Sequence, residues 1–151
     1  MRSKNCSFTF IGTGTKLAKL EELRHLDIEV NIVDPKPFGT QLDLYDNFDV
    51  SLISLSPGMY GLAVPSKFYF SISAGKPVLC LVDEGSEIQL VMAEHELGWC
   101  NTTYNAQSIS QLLDNICTQN NYLEFSCSEI FYKHFNKDRL LKKIVDLIDA
   151  M

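Results

Sequence analysis

Short apolar runs alternate with helical stripes from one end of the chain to the other. Ser7–Ile11 (SFTFI) interleaves polar and apolar residues and stops at Gly12-Thr13-Gly14, which predicts a strand ending in a glycine turn. Leu17, Leu20 and Leu23 recur at helical spacing, and a second short strand follows at Glu29–Val33. Asp34-Pro35-Lys36-Pro37 predicts an extended loop, because each proline pushes its predecessor out of the helical region. Thr40 is placed to cap a short helix carrying Leu42, Leu44 and Tyr45. Val50–Leu55 (VSLISL) predicts the third strand. After the glycine- and proline-containing loop Ser56–Gly61, Pro65 is expected at the first position of a helix that runs to about Ala74 and ends at Gly75.

Pro77–Val82 (PVLCLV) is almost continuously apolar, as expected of a parallel strand covered on both faces. Ile88, Val91 and Met92 share one face of the next helix, and Gly98–Asn101 begins a last short strand. From Ala106 the pattern is helical to the end. Ile109, Leu112, Leu113 and Ile116 form one stripe, and Leu140, Leu141, Ile144, Val145 and Ile148 form another. Gln119–Asn121 and Asn136 interrupt them. This alternation predicts an α/β sandwich with a mainly parallel sheet in a single domain, residues 1–151, with no repeat or linker.

Composition narrows the function. With 151 residues, 46% hydrophobic and 21% charged, the chain is an ordinary globular domain and not a disordered one. The formal charge of −6, with no strip of basic residues, argues against general nucleic-acid binding, which needs clustered Lys and Arg. Five cysteines without a CxxC pair, two of them (Cys80 and Cys100) in strands, suggest small core residues in a reducing, cytoplasmic compartment. No apolar run approaches the ~20 residues that cross a bilayer, so membrane contact is expected at most peripherally, through a partner.

In open α/β sheets, ligands bind beyond the carboxyl ends of the strands. Four loops belong there: Gly12–Thr15, Asp34–Gly39, Ser56–Lys67 and Asp83–Glu87. Gly12 and Gly14 would let a nucleotide approach the backbone, but a G-x-G after a strand is equally a tight turn. The P-loop ending in Gly-Lys-Ser/Thr is absent, and Leu17 stands where the dinucleotide fingerprint has its third glycine. Ser66 and Lys67 open a helix behind a glycine-containing loop, so their amides and the Lys67 ammonium suit a diphosphate; the alternative is a plain helix start with a solvated lysine. Glu87, shortly after Gly85, could accept ribose or sugar hydroxyls or simply complement its helix dipole. His25, His95 and His134 have no spacing for metal ligation or a Ser-His-Asp relay, and no general base or nucleophile stands out, so the catalytic residues stay unassigned and no metal is implied.

Leu62–Leu79 (LAVPSKFYFSISAGKPVL) resembles a donor-site segment of bacterial family-4-like glycosyltransferases of the GT-B class, where it reads close to vPSKlye-mAaGkPvi. Gly85-Ser86-Glu87-Ile88 resembles their sEia step and Leu97-Gly98-Trp99 their cGw strand. Phe10–Gly14, Asn31-Ile32 and Phe48–Leu52 are similar to their iiG.G, nv.f and aDv.l stretches. These stretches come in the family's order and cover nearly the whole chain. The resemblance implies the Rossmann-like C-terminal lobe of a GT-B enzyme, a three-layer sandwich, holding a UDP- or GDP-sugar as donor substrate without a cofactor. Gly12, Gly14, Ser66, Lys67, Phe70 and Glu87 match its donor positions. Its implied role is surface polysaccharide or glycan assembly, with an acceptor lobe supplied by a partner chain or by self-association.

Two departures qualify that picture. Phe70 stands where many members have the glutamate that binds the ribose hydroxyls, and Leu62 stands near the place of the earlier acid of the pair. A non-catalytic nucleotide-binding or assembly module is therefore an alternative, and an unrelated flavodoxin-like nucleotide domain is a third. The first strand of the lobe is also missing, and in the usual order 3-2-1-4-5-6 it is central. Ser7–Ile11 is then expected beside Val50–Leu55, either paired directly, the preferred arrangement, or bridged by a strand from another molecule.

Overall fold

The computed structural model describes residues 6–25, 29–35, 42–119 and 125–150. Strands and helices alternate: β1 (Ser7–Ile11), α1 (Leu17–Glu22), β2 (Glu29–Val33), α2 (Leu42–Tyr45), β3 (Ser51–Ser54), α3 (Ser66–Ser73), β4 (Val78–Leu81), α4 (Glu87–His95) and β5 (Gly98–Asn101). Three helices follow: α5 (Ala106–Gln119), α6 (Cys127–Ile130) and α7 (Lys137–Asp149), with a π-helical turn at Phe131–Phe135 between the last two. The chain is an α/β protein, and every strand pair among the described residues is parallel. Thr40 and most of the loop Asp34–Gly39 lie outside the described residues.

The sheet is divided. β1 pairs with β2, Ser7 opposite Glu29 and Ile11 opposite Val33, while β3, β4 and β5 form a second sheet in that order. The preferred direct pairing of β1 with β3 does not occur: the two strands belong to different sheets, and residues of both line one cavity. Closing that space would drive β1 into helical side chains such as Leu113 and Ile116 of α5, which also line it.

The core belongs to the larger sheet. Val78, Leu79 and Cys80 of β4 are buried, as the apolar run requires, and Val78 and Cys80 pack with Ile53, Phe68, Ile72, Ile88 and Leu97. No described residue before Ile53 is buried. β4 and β5 come unusually close at Gly98, which has φ +137° and pairs with Val78.

Cysteines depart from the expectation in one respect. Cys80, Cys100 and Cys127 are free thiols, but Cys6 and Cys117, 111 residues apart, form a disulfide. It ties the start of β1 to α5. Sequence offered no sign of it, because nothing local brings those two positions together. The last helix begins at Asn136, whose side chain accepts hydrogen bonds from the amides of Asp138 (3.0 Å) and Arg139 (3.4 Å). Its apolar stripe, Leu140, Leu141, Ile144, Val145 and Ile148, is exposed. Among the described residues no helix is long and apolar enough to cross a membrane.

Candidate functional site

The described loops of interest leave the carboxyl ends of β1, β3 and β4. At β1 the chain turns through Gly12, whose φ of +141° suits glycine, and the Gly12 amide donates to the Val33 carbonyl at 3.0 Å. Gly14 then accepts from the Leu17 amide at 3.1 Å as α1 begins. A Cβ at either glycine would meet no atom within 4 Å, so both flank open space.

At β3 the loop is held by a carboxylate. Asp83, just past β4, accepts from the amides of Gly58 (3.2 Å) and Tyr60 (3.0 Å). This clamp had no signal in the sequence beyond an acid beside the next glycine, since its partners lie more than twenty residues away. Pro65 is extended (ψ 116°) and precedes α3 as its cap residue, one position earlier than expected. Its carbonyl accepts from the Phe68 amide at 3.0 Å, while the amides of Ser66 and Lys67 have no acceptor among the described residues.

Packing fixes the direction of α3. Phe68, Ser71 and Ile72 fall on one face and are buried, and the Ser71 hydroxyl is satisfied by donating to the Lys67 carbonyl at 2.8 Å. At the other end Gly75 (φ +76°) donates to the Ile72 carbonyl and Lys76 to the Ser71 carbonyl, both at 3.0 Å, the paired bonds of a Schellman stop. With one face locked, Ser66, Lys67 and Phe70 are left exposed.

These side chains share a cavity of about 890 Å³. Gly12, Gly14, Ser66, Lys67 and Phe70 all line it, although more than fifty residues separate the glycine turn from α3. Its volume falls within the range of small-molecule sites. Glu87 does not line it. That residue opens α4 behind Ser86, whose hydroxyl accepts from the Gln89 amide at 3.4 Å, and it faces Tyr69. Partial burial, and after it the Glu87 carboxylate, raise the Tyr69 phenol above its ordinary value.

α5 supplies a further part of the lining, and the β5–α5 turn sets its start. Asn101 is buried, accepts from the amides of Thr103 and Tyr104 at 3.1 Å, and donates to the Ser108 hydroxyl at 2.7 Å. Asn105 then caps α5 by accepting from the amides of Gln107 (2.9 Å) and Ser108 (3.1 Å). So positioned, Leu113, Ile116 and Cys117 reach the cavity. Among the described residues no group of three or more His, Cys, Asp or Glu is arranged to hold a metal ion. The chemistry on offer is recognition: open backbone at a glycine turn, two free amides and an ammonium at a helix start, and an aromatic ring.

No family model matches the chain, and no solved structure matches it significantly. It is 33% identical over 122 residues, 78% of its length, to the probable glycosyltransferase WbjE of Pseudomonas aeruginosa. The chain spans 30% of the length of that relative. Over most of its own length, the chain is thus related to one stretch of a probable glycosyltransferase.

Proposed function

We propose that this chain is the donor-binding part of a glycosyltransferase that uses a UDP- or GDP-sugar, working with a polypeptide that supplies the acceptor lobe. The observation that carries the reading is the shared cavity of the glycine turn and the start of α3, in a chain related to a probable glycosyltransferase. In this reading the diphosphate lies against the Ser66 and Lys67 amides and the Lys67 ammonium, and the nucleotide passes close to Gly12 and Gly14. Negative charge builds on the diphosphate as the glycosidic bond to the sugar breaks. The helix start and Lys67 stabilise that charge, so their role is electrostatic. Glu87, which opens the neighbouring helix outside the cavity, stays outside the site in this reading, and the pathway served is polysaccharide or glycan assembly inside the cell.

Phe70 favours a second reading. Its ring lines the cavity, is 44% exposed, and cannot accept a bond from a ribose hydroxyl. A chain that binds the nucleotide without transferring the sugar would tolerate that ring. Calorimetric titration of UDP and GDP into the purified chain tests both readings. Weak binding is expected, reduced several-fold by Lys67→Ala, or about 1 kcal/mol for a charge at a helix start. Affinity unchanged by Lys67→Ala would remove the site. Glycosyl transfer by the 151-residue chain alone, to a simple acceptor, would refute the need for a partner.

A further inference from the structure

The last helix presents an apolar face that the described residues leave uncovered. Every residue of α7 is exposed, including Leu140, Leu141, Ile144, Val145, Leu147 and Ile148, which range from 40% to 68%. At about 100° per residue these six fall within an arc of roughly 160°, nearly half of the helix surface. α7 has 13 residues, and a helix of that length is marginal in water until its apolar face is packed.

The charges of α7 run against its own dipole. Lys137, Arg139, Lys142 and Lys143 occupy the first half, with Asp138 the one acid among them, while Asp146 and Asp149 occupy the end. A helix start is partly positive and its end partly negative, so this order disfavours the helix on its own. A second α7 laid alongside in the opposite direction corrects both ends. Its aspartates come beside the basic start, and its basic side chains come beside the acidic end. A parallel copy would set like charge against like along the whole length.

Charge also decides against a lipid surface. Interfacial helices use Lys and Arg to hold anionic headgroups, whereas α7 carries three aspartates and belongs to a chain of net charge −6. Size is in keeping with a small protein contact. Thirteen residues make a helix about 20 Å long. Two such faces pressed together bury on the order of 1,000 Å², the lower bound for a specific interface.

We infer that two copies of this chain associate through α7, antiparallel, with the apolar side chains of both filling the seam. The contact is isologous, and its two-fold axis passes between Ile144 and Val145, in the middle of the stripe. Leu141 of one copy then lies beside Ile148 of the other. No residue of α7 lines the nucleotide cavity, so the interface goes beyond the donor reading and does not depend on it.

Sedimentation of the whole chain tests this pairing. A reversible dimer is expected, with a dissociation constant in the micromolar range. Lys142→Glu/Lys143→Glu should raise that constant by roughly tenfold or more, and so should Asp146→Lys/Asp149→Lys, because each sets like charge against like. An equimolar mixture of the two variants should dimerise again, since their charges are complementary. On mild oxidation Leu141→Cys should link to Ile148→Cys in a mixture, and Leu141→Cys alone should not link to itself. All these positions are exposed, so the variants should keep their fold, which circular dichroism checks. A chain that stays monomeric at millimolar concentration overturns the inference. A dimer that survives both charge reversals also overturns it, since it uses another surface, and linkage of Leu141→Cys to itself does so by showing a parallel pair. Co-sedimentation with anionic phospholipid vesicles, lost in Ile144→Asp, would give the face to a membrane and likewise overturn the pairing.

Discussion

Replacing Gly98 with alanine tests the closest backbone approach in the larger sheet. A Cβ there would fall against the Val78 carbonyl oxygen, 2.7 Å from the Val78 nitrogen and 3.0 Å from its carbonyl carbon. These are backbone atoms of β4, so no side-chain rotation relieves the clash. Gly98 also has φ +137°, where an L side chain costs about 1–3 kcal/mol. Pushing β5 away from β4 would strain the bond from the Val78 amide to the Leu97 carbonyl, now 2.9 Å, and its ladder neighbour, at about 1 kcal/mol each. The expected loss is about 3–5 kcal/mol, a large fraction of the ~5–15 kcal/mol that holds a domain together. For a chain of this size that lowers Tm by roughly 10 °C. Urea unfolding followed by circular dichroism measures it, with Gly58→Ala as the control. Gly58 also has positive φ (+84°) but open space around its Cβ position, so about 1 kcal/mol is expected there. Equal losses for the two variants would refute the steric argument.

Burial lifts the Cys127 thiol to about 11, and burial followed by the neighbouring Cys100 raises Cys80 further. The folded chain keeps protons that an unfolded thiol surrenders near 9.0, so stability is full below that pH and falls as pH rises toward about 11; Cys127→Ala should flatten that alkaline decline in urea midpoints. The His95 and His134 rings lie 4.5 Å apart, and desolvation followed by His95 lowers His134 below the ordinary imidazole value. An NMR titration should show that depression shrink in His95→Gln. Phe68 is fully buried, and Phe68→Ala should cost about 3–5 kcal/mol, read as a fall in urea midpoint at constant slope. Non-reducing peptide mapping should recover Cys6 and Cys117 in one linked pair that dithiothreitol separates.

What the sequence made legible was local. Periodicity located β4 and α3 because both are decided by neighbours in the chain: an apolar run for one, and a proline start, a Phe68-Ser71-Ile72 face and a Gly75 stop for the other. Contacts between distant segments were not legible. The Asp83 clamp on the Gly58 loop, the Cys6–Cys117 bond and the gap between β1 and β3 each depend on how the helices pack, which no local pattern encodes. The candidate site divides along the same line. Gly12, Gly14, Ser66, Lys67 and Phe70 converge because their loops leave strands that border the gap. Glu87 follows β4, one strand spacing of about 4.8 Å farther from it, and so faces Tyr69 instead.

The uneven distribution of burial has a thermodynamic consequence. Since no described residue before Ile53 is buried, the segment carrying β1 and β2 is held mainly by its own two-strand ladder and the Cys6 tether. The β3–β5 block, with Phe68, Ile72, Val78 and Leu97 beneath it, unfolds only when that core is exposed. Heating should therefore melt the chain in two stages, and the van't Hoff enthalpy should fall short of the calorimetric one. The first stage releases β1 and β2 on the leash of the disulfide, so on cooling they search a confined volume and return quickly to their place.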